Sequence, residues 1–205
     1  MAKAANNNIS ETREDILHAA LKRFAHSGYS AASVQQIVDD AEVSKPALYY
    51  YFKDKAGLFQ ALVDEAHDQR YQLMQAACKG ASDLRTQLSK ILTAMFDHLQ
   101  KNRELLRISF STAFAAPGEL PPGLRYTEKC ERNFEFIHSL MKKGQADGVL
   151  DRRFDSEELA FGFYSHLNGY LASQLVVPNC ALDRKRAGNI VELFFAGAAA
   201  KKRRA

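Results

Sequence analysis

Along almost the whole of this chain the apolar residues recur at three- and four-residue steps, the period of helices packed on one side and not the two-residue period of strands. From Glu11 to His26 the recurring set is Ile16, Ala20, Leu21 and Phe24, with Ser10 placed to cap the start and Gly28 to stop the end. A short helix follows from Ser33 to about Asp40, and a third opens at Ser44. Asp54 can cap a long fourth helix holding Leu58, Leu62, His67 and Leu73, and Ser82 a fifth that runs to about Gln100. NRELLRISFSTAFAA is a sixth, closed by Pro117 and Gly118; after the loop ELPPGLRY a seventh runs through Phe134, Ile137 and Met141 to about Asp147. Asp155 and Glu158 have capping-box spacing for an eighth, with Pro178 beyond its end, and a ninth spans about Asp183 to Ala200. The expected fold is all-α, about nine helices, with a disordered stretch over roughly the first nine residues.

Composition narrows the class. A chain of 205 residues can build its core without a metal or disulfide staple. It holds no run of some 18 apolar residues and its start has no apolar centre, so no membrane partner is expected and a cytoplasmic location is. Cys78, Cys130 and Cys180 are odd in number and widely spaced, reading as reduced thiols rather than a disulfide or CxxC framework. The histidines have no cysteine or carboxylate partners at ligand spacing, so neither metal nor cofactor is expected. The net charge of +4 equals the charge of the terminal KKRR, Lys201 to Arg204, and the rest of the chain is balanced. A nucleic-acid face must therefore come from local placement and not from bulk charge.

Such a placement is found in SKPALYYYFKDK. The segment from Ser33 to Phe52 has the outline of a helix-turn-helix, with Ser44 as cap and Pro46 in the first turn of the second helix. At 100° per residue Leu48 and Phe52 face the core with Ile37 and Val43. Tyr50 then points outward, with Tyr49 and Tyr51 on its flanks. On a helix lying in a major groove, the outward side chain meets bases and the flanks reach phosphates.

With Ser33, Ile37, Val43, Ser44, Leu48, Tyr49, Tyr51, Phe52, Lys55 and Leu58 at these spacings, the run from Thr12 to about Leu62 resembles the DNA-binding domain of the TetR family of bacterial transcription regulators. The resemblance implies that residues 1–54 form a helix-turn-helix domain and 55–205 a larger helical domain for ligand binding and dimerisation. It also implies phosphate contacts from Ser33, Tyr49, Tyr51 and Lys55, a place for Ser44 in the DNA-binding set, and base contacts from Gln35, Lys45, Pro46, Ala47 and Tyr50. Gln suits adenine, Lys suits guanine, and Pro46 and Ala47 suit thymine methyls. Val38, Glu42 and Pro46 depart from the pattern. Glu42 stands where the turn usually has glycine, and a left-handed conformation there strains a residue with a Cβ.

For the larger part, the resemblance implies that the last two helices pair with their copies in a homodimer. Phe163, Leu167, Tyr170, Ile190, Val191 and Phe194 are the expected interface, beside the small Gly162 and Gly169; the other reading of these faces is that they fill the protomer's own core. Polar groups in unusual places, among them His98, Tyr126, Cys130, Asn133 and His138, together with Phe110 and Phe114, are the candidate lining of an effector pocket. The function expected is a ligand-responsive regulator, a repressor that binds a palindromic DNA operator as a dimer and is released by a small, largely apolar molecule. A DNA architectural protein without ligand response is the alternative. An all-helical enzyme finds no support, since the sequence holds no GxSxG, phosphate-binding glycine loop or HExxH.

Overall fold

Helix caps decide where this chain turns. A computed structural model describes residues 2–177 and 182–199, with side chains from residue 11 onward; Pro178, Cys180 and the KKRR tail lie outside the described residues. The helices are α1 (Ala2–Ala31), α2 (Val34–Asp40), α3 (Lys45–Phe52), α4 (Lys55–Cys78), α5 (Leu84–Lys101), α6 (Arg103–Ala113), α7 (Thr127–Ala146), α8 (Ser156–Val176) and α9 (Arg184–Ala198). An isolated antiparallel bridge joins Leu150 to Ala199.

Ser33 caps α2 reciprocally: its Oγ accepts from Gln36 N at 3.1 Å while Gln36 Oε1 accepts from Ser33 N at 3.3 Å. Ser44 Oγ accepts from Ala47 N at 3.3 Å, and Asp54 Oδ1 from Gly57 N at 2.7 Å, as expected of the caps of α3 and α4. The cap of α5 is Asp83 rather than Ser82, because its carboxylate takes both Thr86 N, at 2.9 Å, and Thr86 Oγ1, at 2.7 Å. Asp155 caps α8 through Glu157 N at 2.7 Å instead of the box with Glu158. Gly28, at φ 78°, breaks α1 where a stop was expected, but helix resumes to Ala31. The backbone of α1 is already helical from Ala2, so Ser10 lies within it.

Contacts divide the chain into two compact units, Met1–Ala66 with Glu104–Tyr126, and His67–Arg103 with Thr127–Ala205. The boundary expected after residue 54 thus falls inside the first unit, and α4 supplies residues to both. The first unit buries Ile16, Ala20 and Phe24 of α1 against Ile37, Val38, Leu48, Phe52, Leu58 and Phe59. Ile108 of α6 enters the same core, and Leu120, Leu124 and Tyr126 pack at its margin. The Gln60 amide fastens this margin, donating to Arg125 O at 2.8 Å and accepting from Arg125 N at 2.9 Å. In the second unit α7 packs on α8, α5 on α9, and α8 on α9, around Leu88, Ile91, Phe96, Ile137, Met141, Phe163, Leu167 and Ile190.

The two ends of α3 are tight turns. Before it, Val43 N bonds to Val38 O at 3.0 Å and Glu42 N to Asp39 O at 3.3 Å, a Schellman closure of α2 with Glu42 at φ 54° in the position that favours glycine. The same closure ends α7 with Gly148 at φ 72° in that place. After α3, Asp54 N bonds to Phe52 O at 2.6 Å across Lys53, whose φ of 62° and ψ of −51° define a γ-turn of the strained hand. That same Phe52 carbonyl lies where a Cβ on Gly57 would go. Gly57→Ala is therefore expected to cost about 1–3 kcal/mol, the range of an overpacked contact. Glu42→Gly relieves about 1–2 kcal/mol of left-handed strain, offset in part by about 0.5–1 kcal/mol of added freedom in the unfolded chain, for a small net gain. Urea midpoints of the two variants test both signs.

Candidate functional site

The outward face of the first unit is α3. Tyr50 is 78 % exposed and Tyr49 45 %, with Lys45 and Pro46 also exposed, whereas Leu48 and Phe52 are buried. The helical wheel is obeyed, since the buried pair are four residues apart and Tyr50 lies opposite. Ala47 is half-buried. Tyr51 is braced between core and surface, its ring perpendicular to that of Tyr50 at 5.0 Å and packed on the core. Ser33 and Ser44 use their oxygens as caps, which leaves each hydroxyl hydrogen to donate elsewhere. Gln35 lies on the exposed face of α2 with its amide on Asp39 Oδ1 at 2.7 Å.

Lys55 is placed differently from expectation. Its Nζ turns back to donate to Ala32 O at 2.9 Å and Ser30 O at 3.3 Å, 4.4 Å above the Tyr29 ring, and burial lowers its pKa. The ammonium expected on phosphate instead satisfies carbonyls at the end of α1, which have no helical partner of their own.

The seven candidate pocket residues are divided between the two units. Phe110 and Phe114 stack on each other at 6.3 Å in the first unit, but Phe114 is 80 % exposed and lines nothing enclosed. Tyr126 belongs to the margin of the first unit's core. His98 meets Asn102 Nδ2 at 3.2 Å, and His138 holds Ser156 Oγ at 2.9 Å and the Glu135 carboxylate at 3.1 Å, pinning α7 to the start of α8. Cys130 is half-buried with its pKa raised by burial, which keeps it a thiol and speaks against a redox sensor.

Cys130 does lie in a polar cluster that the sequence did not assemble. Its Sγ is 3.8 Å from His67 Nε2; Asn133 Nδ2 donates to His67 O at 3.2 Å; Arg70 donates to Asn168 Oδ1 at 2.7 Å and stands 4.8 Å over the Tyr164 ring. At the edge of the cluster Asp68 takes Lys129 at 2.7 Å and Arg132 at 2.8 Å. Asn133 shares the apolar stripe of Ile137 and Met141, four and eight residues on, and a polar residue on such a stripe was the available signal.

The expected dimer residues also change place. Phe163, Leu167, Ile190, Val191 and Phe194 are buried inside the second unit, with Phe163 and Phe194 meeting edge to face at 5.6 Å, and Tyr170 alone keeps partial exposure. These faces fill the core of the second unit. The large apolar side chains exposed on these helices are Phe161 and Val176 of α8 and Leu193 of α9, and α8 also lines a groove of about 590 Å³ with Gly162, Ser165, His166, Gly169, Tyr170 and Ser173.

Residues 16–62, which hold this helix-turn-helix, match the bacterial regulatory proteins of the tetR family. Over 203 residues the chain is 30 % identical to the HTH-type transcriptional regulator AcrR of Shigella flexneri, a match that takes in 95 % of this chain and 92 % of AcrR. It belongs to the tetR family. A tetR-family regulator from Marinobacter aquaeolei VT8 has the same fold at a TM-score of 0.77, with 19 % identity over 96 % of this chain and 100 % of that one. The regulator FadR of Bacillus subtilis in complex with stearoyl-CoA shares it at a TM-score of 0.76, with 18 % identity over 90 % of this chain and 98 % of FadR. Against several other curated relatives the chain spans about half their length, as with 46 % of YuxN of Bacillus subtilis. Among the described residues, no helix of this tetR-family protein is long and apolar enough to cross a membrane, and none form a cluster able to hold a metal ion.

The buried histidine of this tetR-family protein makes its stability pH-dependent. Burial first, then Arg70, Lys129 and Arg132, push His67 down to about 4, with Asp68 opposing. Unfolded, it takes a proton near 6.5, so between the two values the unfolded chain binds more protons and stability rises with pH. The contribution is complete above about pH 6.5 and is lost toward pH 4, up to about 3 kcal/mol. Urea unfolding between pH 7 and 4.5 should show a steeper loss in the native protein than in His67→Gln.

Proposed function

We propose that this protein is a ligand-responsive transcriptional regulator, a repressor that binds a palindromic operator as a homodimer and is released by a small, largely apolar molecule. The observation that carries the DNA reading is the outward Tyr50 on a capped α3, with Lys45, Pro46 and Tyr49 around it, on a helix of major-groove size. Lys45 and Tyr50 face the bases. Tyr49 and the Ser33 and Ser44 hydroxyls contact phosphate, aided by the amide ends of α2 and α3. The helix-turn-helix matched by the tetR family supports the same role.

The dimer forms through the outward faces of α8 and α9. Phe161, Val176 and Leu193 are exposed there, and Gly162, Gly169, Gly188 and Gly197 leave open space for a second copy to approach. A two-fold pair of heads then meets two half-sites about one helical turn apart. Ligand response follows where the effector binds the two spacings of the heads unequally. That FadR carries stearoyl-CoA supports a small-molecule effector within this fold.

DNA selected by the native protein from a random duplex pool supplies the operator for the test. Lys45→Ala and Tyr49→Ala, folded by circular dichroism, should each bind that operator at least about tenfold more weakly, the loss of one or two good contacts. Operator binding at native affinity by both variants would overturn the docking. Native mass spectrometry should give a dimer for the unaltered chain and a monomer for Phe161→Glu with Leu193→Glu.

A further inference from the structure

The polar cluster of the second unit is unbalanced in a particular way. Asn133 is 0 % exposed and its Oδ1 has no hydrogen-bond partner; Arg70 Nε is likewise buried without one. Buried polar atoms left so are costly, and the Asn133 oxygen is so placed on a helix stripe otherwise apolar. Arg70 is paired with a neutral amide, Asn168, and a ring, Tyr164, and with no carboxylate among the described residues. The neighbouring acid, Asp68, is taken by Lys129 and Arg132. His67 is held neutral, and Tyr164 is held as a phenol by burial, so neither supplies the missing negative charge.

What completes the set is a ligand that brings an anion for the guanidinium and a donor for the Asn133 oxygen. Arg70 and His67 on α4, Cys130 and Asn133 on α7, and Tyr164 and Asn168 on α8 stand together. Phe134, its ring 5.9 Å from that of Tyr164 and perpendicular to it, adds an apolar wall. A planar guanidinium with a free Nε–H matches the two oxygens of a carboxylate.

We propose that Arg70 and Asn133 form the polar end of the effector site, and that the effector is a small organic carboxylate bearing a hydroxyl or N–H donor and an apolar or aromatic body. This rests on the ligand-responsive reading above and gives its effector a chemical class. Arg70 binds the carboxylate, Asn133 Oδ1 accepts from the ligand's donor, and Phe134 and Tyr164 cover the body.

The test uses octanoate, 3-hydroxyoctanoate, benzoate and 4-hydroxybenzoate, each beside its neutral primary amide, with the full-length protein. The first readout is the ligand-induced shift of the unfolding temperature, each variant measured against its own ligand-free value. At least one carboxylate should raise it where its amide does not, and the hydroxylated acid of that pair should bind more tightly than the plain one. Arg70→Met should weaken that acid by about tenfold or more, and Arg70→Lys should keep part of the binding because the charge remains. Amides that bind as well as acids, no carboxylate that binds, or a shift unchanged in Arg70→Met would each overturn the proposal. Release of the selected operator is scored separately. A carboxylate held by Arg70 that leaves operator binding unchanged refutes the regulatory reading and keeps the site. Operator release by a neutral compound alone keeps the regulatory reading and refutes the site.

Discussion

The Phe52 carbonyl oxygen accepts the Asp54 N–H at 2.6 Å and occupies the space that a side chain on Gly57 would need, so the C-terminus of α3 is seated directly on the first turn of α4. At the other end the Schellman turn at Glu42 sets the path from α2 into α3. Both junctions place a residue with a Cβ at positive φ, a strain that persists only because Leu48, Phe52, Val43 and Val38 are held in the core around it. The direction in which Tyr50 points is therefore a property of the packed core and of α4, not of α3 alone. A short helix of eight residues has little stability by itself, and here it borrows its orientation from its two turns.

The second unit answers to a different physical demand. Its apolar core is complete within the protomer, down to the Phe163 and Phe194 pair, and the cations around α4 and α7 are largely matched. Against that background the orphaned oxygen of Asn133, with the Nε groups of Arg70 and Arg132, stands out, because a partly satisfied polar network is worse than a wholly apolar interior. α4 carries residues of both the Tyr29–Phe59 core and the His67–Arg70 cluster on one continuous helix.

Much of this was legible in the chain. Ser33, Ser44, Asp54 and Asp183 begin their helices because a short acceptor side chain just ahead of an apolar periodic run has one evident use. The outward Tyr50 followed from the 100° step. What was not legible depended on which of two apolar surfaces meets which neighbour. α8 is apolar nearly all round, so its pattern does not tell the face of Phe163 from that of Phe161. α6 reads as one more amphipathic helix, and nothing local says that Ile108 enters the core of the first unit. Lys55 matched a motif position, yet its length lets it reach back to two carbonyls that periodicity cannot see. The polar cluster draws on three helices, and residues 67, 133 and 168 come together only through packing.

The withdrawal of Lys55 changes the thermodynamic character of the head. An ammonium laid on a phosphate displaces a condensed counterion, and each such contact adds about one to the slope of affinity against salt. A lysine spent on Ser30 and Ala32 displaces none. Phenols, serine hydroxyls and helix-end amides bind phosphate through directed hydrogen bonds and release no ions of their own. On the docking proposed above, a head built so would gain less from the diffuse attraction that any duplex offers and would depend more on fit, holding random DNA more weakly.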